Sequence, residues 1–282
     1  MSATAARKRA RNDEAPLLAG RVVVVTGGAG GIGRAAALVC ASKGAAGVFV
    51  TDINAEAAAK TAADCQALGC NAASVGADVT RESEVDAMLA AAVARFGRVD
   101  CAFNAAGIEG QRAPLHESTP DNFDRVLSVN LRGIYLCMRA QIAQMLKQAA
   151  PDDATSETDA AIDRLNYSIV NMSSSAGQAG MPEFSCYSAS KFAIIGLTKS
   201  AAKEYAGKGI RINALCPSTT ATPMVERFTA QWPEWQAKQN ASFPVGRVGE
   251  AEEVAAAAAW LFSAECRMLT GTCLTIDGAA SS

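Results

Sequence analysis

The chain has 282 residues, half of them hydrophobic, with 26 basic and 28 acidic side chains and a formal net charge of -2. A chain of that length can bury a large core and is read as one α/β domain. The near-neutral balance excludes a global basic field for nucleic acid or an anionic membrane surface, and no apolar run approaches the roughly 18 residues that span a bilayer.

Residues 1–18 read as a solvated, disordered tail with a basic cluster at Arg7, Lys8, Arg9 and Arg11; a localisation signal or an acidic partner is the alternative. No apolar core of a secretory leader precedes Gly20. The nine cysteines include no C-x-x-C pair and lie mostly in apolar stretches, so they are expected as reduced thiols of a cytoplasmic protein. His116 is the sole histidine, and no metal site is expected.

From Arg21 onward strands and helices alternate. The β-branched run 22–25 is a strand buried on both faces, followed by a helix over 31–43. Then come a strand at 47–52, a helix at 55–68, a strand at 72–78, a helix at 82–96 and a strand at 99–104. Pro120 opens one long helix over 121–148. Residues 149–166 are acidic and polar and form a surface insertion, a solvated loop or else a partner-binding segment. A strand at 168–173, a helix at 188–205, a strand at 211–216, a helix at 251–261 and a strand at 273–277 complete the pattern. Such alternation predicts a single-domain, doubly wound Rossmann fold over 19–282: a parallel sheet with helices on both faces.

The first strand runs into Thr26-Gly27-Gly28-Ala29-Gly30-Gly31-Ile32-Gly33. Gly27 supplies the dihedrals of a sharp turn, and Gly31 and Gly33 leave room for close approach of a cofactor and the adjacent strand. The helix that follows presents unpaired N–H groups to a pyrophosphate. Asp52 ends the next strand 19 positions after Gly33, near the offset of an acid that binds ribose hydroxyls. A carboxylate there repels a 2′-phosphate, and neither Gly30 nor Ile53 supplies a neutralising charge, so NAD is favoured over NADP. A simple turn aspartate before Asn54 is the competing reading.

Tyr187 and Lys191 lie one helical turn apart and share a face. A free phenol, with a pKa of about 10, is a poor base at neutral pH, and a neighbouring ammonium lowers it. The pair suits acid/base work on a hydroxyl, with the Ser174 hydroxyl able to orient the substrate oxygen. An exposed helix face and an ordinary serine loop are the bland alternatives.

In this order the motifs resemble those of the short-chain dehydrogenase/reductase family over nearly all of 19–282. Thr26, Gly27, Gly31, Ile32 and Gly33 match its glycine motif. Asp78-Val79 resembles its adenine-contacting pair, and Asn104-Ala105-Ala106-Gly107 its sheet-stabilising stretch beside the cofactor. Asn130 matches the helix asparagine that holds a proton-relay water. Ser174, Tyr187 and Lys191 match its catalytic residues. Pro217, Thr220 and Thr222 fall in its cofactor-contacting segment after the sixth strand, and Thr270-Gly271 and Ile276-Asp277-Gly278 in its C-terminal motif. Ser218 and Ala279 stand where glycine is frequent in the family.

The resemblance implies an NAD-dependent oxidoreductase that interconverts a secondary alcohol and a ketone through a Ser-Tyr-Lys-Asn relay, and a homotetramer or homodimer. The rival is a non-catalytic dinucleotide sensor or scaffold. Residues 218–245, with Met224, Phe228, Trp232, Trp235 and Phe243, read as a lid with an aromatic inner face, completed by Ile108, Met181 and Phe184. That lining predicts a small, uncharged, fairly apolar alcohol or ketone as substrate.

Overall fold

The computed structural model describes residues 15–148, 167–231 and 243–281. The insertion at 149–166, Trp232, Trp235 and the Phe228 side chain lie outside the described residues. The strands are β1 (Val22–Thr26), β2 (Gly47–Asp52), β3 (Ala72–Gly76), β4 (Cys101–Asn104), β5 (Tyr167–Met172), β6 (Ile210–Pro217), β7 (Thr220–Ala221), β8 (Gly249–Glu250) and β9 (Cys273–Ile276). The main helices are α1 (Gly31–Ser42), α2 (Ala55–Ala67), α3 (Glu82–Phe96), α4 (Pro120–Leu127), α5 (Gly133–Gln148), α6 (Ala176–Ala179), α7 (Ser185–Tyr205), α8 (Pro223–Gln231) and α9 (Ala251–Phe262).

Seven strands form one parallel sheet in the order β3-β2-β1-β4-β5-β6-β9, and β7 pairs with β8 separately. Successive side chains of a strand face opposite sides, so a valine run serves two cores at once. Val23 and Val25 pack beneath α1, α2 and α9, while Val24 packs beneath α3, α5 and α7. The doubly wound architecture is as the alternation predicts. The chain winds outward in both directions from β1 and β4, and the crevice at their C-terminal ends is where this topology binds ligands.

Several boundaries differ from the sequence reading. Leu18, placed in the tail, is fully buried, and its N–H donates to the Lys43 carbonyl at 3.0 Å. Strand β3 stops at Gly76 because Asp78 makes a turn, its Oδ1 accepting from the Thr80 amide at 2.9 Å. Helix α7 starts at Ser185, which places Tyr187 in its first turn.

The expected single helix over 121–148 is two helices joined by a π turn at Ser128–Arg132. Its apolar periodicity continues through the join, so sequence gives no mark of it. The side chain of Asn130 supplies the physical reason, as it is fully buried and bonded outside the helix (below). Ser218 has no positive φ and so fits its position without strain. Ala279 is left-handed (φ 66°), a conformation that costs a non-glycine residue about 1–2 kcal/mol.

Candidate active site

The glycine turn sits at the crevice. Gly27 has φ 69°, and a Cβ there would lie 2.7 Å from the Ala106 amide nitrogen. A Cβ on Gly33 would lie 2.0 Å from the Gly27 carbonyl oxygen, so this glycine lets α1 seat against the turn. Gly31 faces Thr222 rather than a strand, with a Cβ position 3.3 Å from Thr222 Cγ2. The segment after β6 therefore folds over the turn. No side chain caps the N-terminus of α1, and the space above Gly30 is open. An uncapped helix end with clear approach has the form of a phosphate cradle, and the residues present fit a dinucleotide. Ile32 packs against the core on the α1 side.

Asp52 does two jobs. Its Oδ1 accepts from the Asn54 amide at 3.0 Å, as in the turn reading, and its Oδ2 accepts from the Ala29 amide at 3.1 Å. The second bond ties it to the glycine turn, where a ribose would lie. Ile53 beside it is exposed, and the nearby Arg34 is held by Asp64 at 2.8 Å. Asp78 receives Thr80, and Val79 is buried against Gly133.

Asn104 is wholly enclosed. It exchanges hydrogen bonds with Gln141 at 3.0 and 2.8 Å and donates to Asn171 Oδ1 at 3.0 Å, while Asn171 donates to Thr198 Oγ1 at 2.9 Å. This buried ladder pins α5 and α7 to β4 and β5. Gln141, Asn171 and Thr198 were not anticipated; the pairing of Asn104 with Asn171 across adjacent apolar strands is the signal that could have found them.

Ser174, Tyr187 and Lys191 meet at the C-terminal edge of the sheet. The Ser174 hydroxyl accepts from the Ala176 amide at 3.1 Å and donates to the Pro217 carbonyl at 3.5 Å, and it lies close enough to the Tyr187 phenol to lower its pKa. Lys191 is buried, with Nζ 5.4 Å from the Tyr187 ring centroid, and donates to the Met172 carbonyl at 2.8 Å. Gly107 lies alongside, its Cβ position 3.7 Å from that Nζ. Pro217 offers its carbonyl to the Ser175 amide at 2.9 Å, and the buried Thr220 hydroxyl donates to the Ser218 carbonyl at 2.9 Å.

The electrostatics differ from the expectation of a lowered phenol. Burial pushes the Tyr187 phenol above its ordinary value, the Ser174 hydroxyl pulls it down, and the Glu109 carboxylate pushes it up. Lys191 is not among the groups that lower it, and burial brings the Lys191 ammonium's own pKa down to about 8.

That shift makes a stability prediction. The folded chain disfavours the Lys191 proton, whereas the unfolded chain holds it up to a pKa near 10.4. Between about pH 8 and 10 the unfolded state binds more protons, so this site's contribution to stability rises with pH. The whole effect is about 3 kcal/mol, fully unfavourable below pH 8. Melting temperatures of Lys191→Met and the parent chain, followed across that window, should converge as pH rises.

The Asn130 side chain is bonded within the protein. Its Nδ2 donates to the Ile108 carbonyl at 2.9 Å and to Ser190 Oγ at 3.1 Å, and its Oδ1 accepts from the Ile108 amide at 2.8 Å. These bonds clamp the loop after β4 to α7. A cavity of about 540 Å³ opens beside that loop, lined by Ile108, Glu109, Gln111, Asp121, Arg125 and Arg227 among others. Phe184 and Phe243 are buried and Met181 half-buried. Among the described residues no group of acids, cysteines and histidine could hold a metal ion.

Residues 27–280 match the family model described as enoyl-(acyl carrier protein) reductase. The chain is 38% identical over 261 residues to the 2,5-dichloro-2,5-cyclohexadiene-1,4-diol dehydrogenase of Sphingobium indicum, covering 93% of this chain and 97% of that one. It is 37% identical to the cyclohexanol dehydrogenase of an Acinetobacter species, covering 93% and 95%. The crystal structure of levodione reductase superposes with a TM-score of 0.83 at 34% identity, covering 94% of this chain and 99% of that one. The site geometry and these matches place the chain in the short-chain dehydrogenase/reductase family, oxidoreductases that act on CH–OH groups with a nicotinamide dinucleotide.

Proposed function

We propose that the chain is an NAD-dependent dehydrogenase that interconverts a neutral cyclic secondary alcohol and its ketone. The observation that carries this reading is the Ser174–Tyr187 hydroxyl pair, with Lys191 one turn on, at the edge of the glycine-turn crevice. The substrate hydroxyl binds Ser174 and Tyr187, and the phenolate of Tyr187 takes its proton. When bound, the oxidised cofactor would supply the hydride acceptor and a positive charge that favours the ionised phenol. Lys191, which donates to the Met172 carbonyl, would hold the cofactor ribose and help to lower the phenol pKa. Gly27, Gly31, Ile32 and Gly33 hold the pyrophosphate, Asp52 the adenosine ribose, Asp78 and Val79 the adenine. Ala106, Gly107, Pro217, Thr220 and Thr222 border the nicotinamide half.

Since the Asn130 amide is spent on the loop and Ser190, the relay role falls to backbone at the π turn. There the Gly133 amide bonds the carbonyl five residues back, at Ser128, so one carbonyl of the turn is released for water.

The cavity supports a substrate neutral overall but carrying a second hydroxyl or carbonyl. Glu109 and Asp121 balance Arg125 and Arg227 along its wall. The named substrates of the diol and cyclohexanol dehydrogenases point the same way. Self-association as a homodimer or homotetramer is supported by exposed Phe123, Tyr135, Leu146 and Phe192 and by an apolar hollow lined by Leu127, Leu131, Tyr135 and Leu197. Nine free thiols, eight of them buried, support a cytoplasmic setting. Among the described residues no helix is long and apolar enough to cross a membrane.

The test is a panel of cyclic and acyclic secondary alcohols offered with NAD, read as absorbance of the reduced cofactor. Turnover of a cyclic diol or alcohol is expected; cofactor binding without turnover on any member would favour the sensor reading.

A further inference from the structure

Four contacts tie the loop after β4 to the start of α7, and one of them holds strained backbone. Glu183, two residues before α7, has φ 66°, a left-handed conformation that side-chain-bearing residues rarely adopt. Arg112 Nε donates to Glu183 Oε2 at 2.6 Å, and a second guanidinium nitrogen reaches the same carboxylate. The Glu183 carbonyl accepts from the Ala113 amide at 2.9 Å. Further along, Ser118 Oγ lies 3.3 Å from Cys186 Sγ, next in sequence to Tyr187. The ion pair is half-buried rather than solvated, with side-chain exposures of 30% and 41%. Strain of this kind persists only where surrounding contacts over-determine it.

We propose that Arg112 and Glu183 form a clasp that positions Tyr187, a role that rests on Tyr187 being the acid/base. Glu183 lies four residues before Tyr187. Its twisted backbone sets the direction in which the chain enters α7, and so the depth at which the first-turn phenol sits. The clasp holds that twist from outside the cavity, whose lining includes neither Arg112 nor Glu183. Local sequence does not hold it, since a glycine would adopt the same backbone more readily.

Glu183→Ala removes the clasp but keeps the Cβ that disfavours the left-handed backbone, so the twist relaxes and positioning and stability separate. Its melting temperature is expected to equal or exceed that of the parent, with NAD dissociation unchanged by protein fluorescence. Its kcat for alcohol oxidation should fall by about tenfold to 10²-fold, as misplacement of a reacting group does. The exchange Arg112→Glu with Glu183→Arg should recover kcat to within about threefold of the parent, where each single change does not. An unchanged kcat, a loss that follows a lowered melting temperature, or an exchange no better than the singles would overturn the clasp. A second readout needs no turnover: the ring-carbon NMR titration of Tyr187, assigned with Tyr187→Phe. Breaking the clasp should move the phenol toward the ordinary tyrosine value as its burial loosens, and an unmoved titration overturns the proposal even if the dehydrogenase reading stands. Movement of that titration in a chain that turns over no alcohol would sink the dehydrogenase reading and leave the clasp in place.

Discussion

Tyr187→Phe is expected to lower kcat for alcohol oxidation by about 10²–10⁴-fold, the range that a positioned acid/base supplies. The substitution removes one oxygen from a half-buried ring and leaves the glycine turn and Asp52 untouched. NAD affinity should therefore stay within about tenfold of the parent, since the change removes at most one neutral hydrogen bond. The pH profile is the sharper check. Oxidation requires the phenolate, and burial with Glu109 holds the phenol above its ordinary value in the cofactor-free chain. The rate of oxidation should climb with pH, and ketone reduction, which needs the protonated phenol, should decline over the same interval. Binding of NAD should move the midpoint downward, because the cation near the phenol favours its ionised form. A midpoint that NAD does not move would contradict the electrostatic argument even if Tyr187→Phe were inactive.

The second large effect concerns the choice of cofactor. The parent should prefer NAD over NADP by at least about tenfold, or about 1.4 kcal/mol. The proposed cause is the Asp52 carboxylate beside the glycine turn, where a ribose would lie, with Arg34 engaged by Asp64 and Ile53 apolar. Asp52→Asn with Ile53→Arg should bring that ratio below one. Asp52 also accepts from the Ala29 and Asn54 amides, so the substitution weakens the turn for either cofactor, by about 1 kcal/mol for each bond lost. The ratio of the two dissociation constants cancels that common loss, which makes it the proper readout. An unaltered ratio would assign Asp52 to the turn alone.

Local chemistry made a good part of this protein legible. The valine run of β1, the glycines after it and Asp52 at the end of β2 are short-range patterns, and the structure brings them to one crevice. Tyr187 and Lys191 share a helix face because their spacing is four, and that holds wherever the helix begins. The nearness of Ser174 to Tyr187 is expected from order along the chain, and the fold brings the two side chains close together.

Other features depend on partners far away in sequence. The break in the helix over 121–148 comes from Asn130 reaching Ile108 and Ser190, 22 and 60 residues distant. Nothing in the hydrophobic period near Asn130 records that pull. The Asn104–Gln141–Asn171–Thr198 ladder and the Arg112–Glu183 pair are of the same kind, spanning 37, 67, 27 and 71 residues. Leu18 is buried because the turn after α1 receives it, which a polar, alanine-rich neighbourhood does not announce.

The amino-acid order by itself therefore determined the winding of the sheet and the glycine turn at its crevice, since periodicity and turn chemistry act over a few residues. How readily Tyr187 and Lys191 gain or lose a proton is decided only by tertiary structure. A side chain's pKa depends on how much water the fold removes and which charges it brings close, and both are set by packing between segments that sequence reads one at a time.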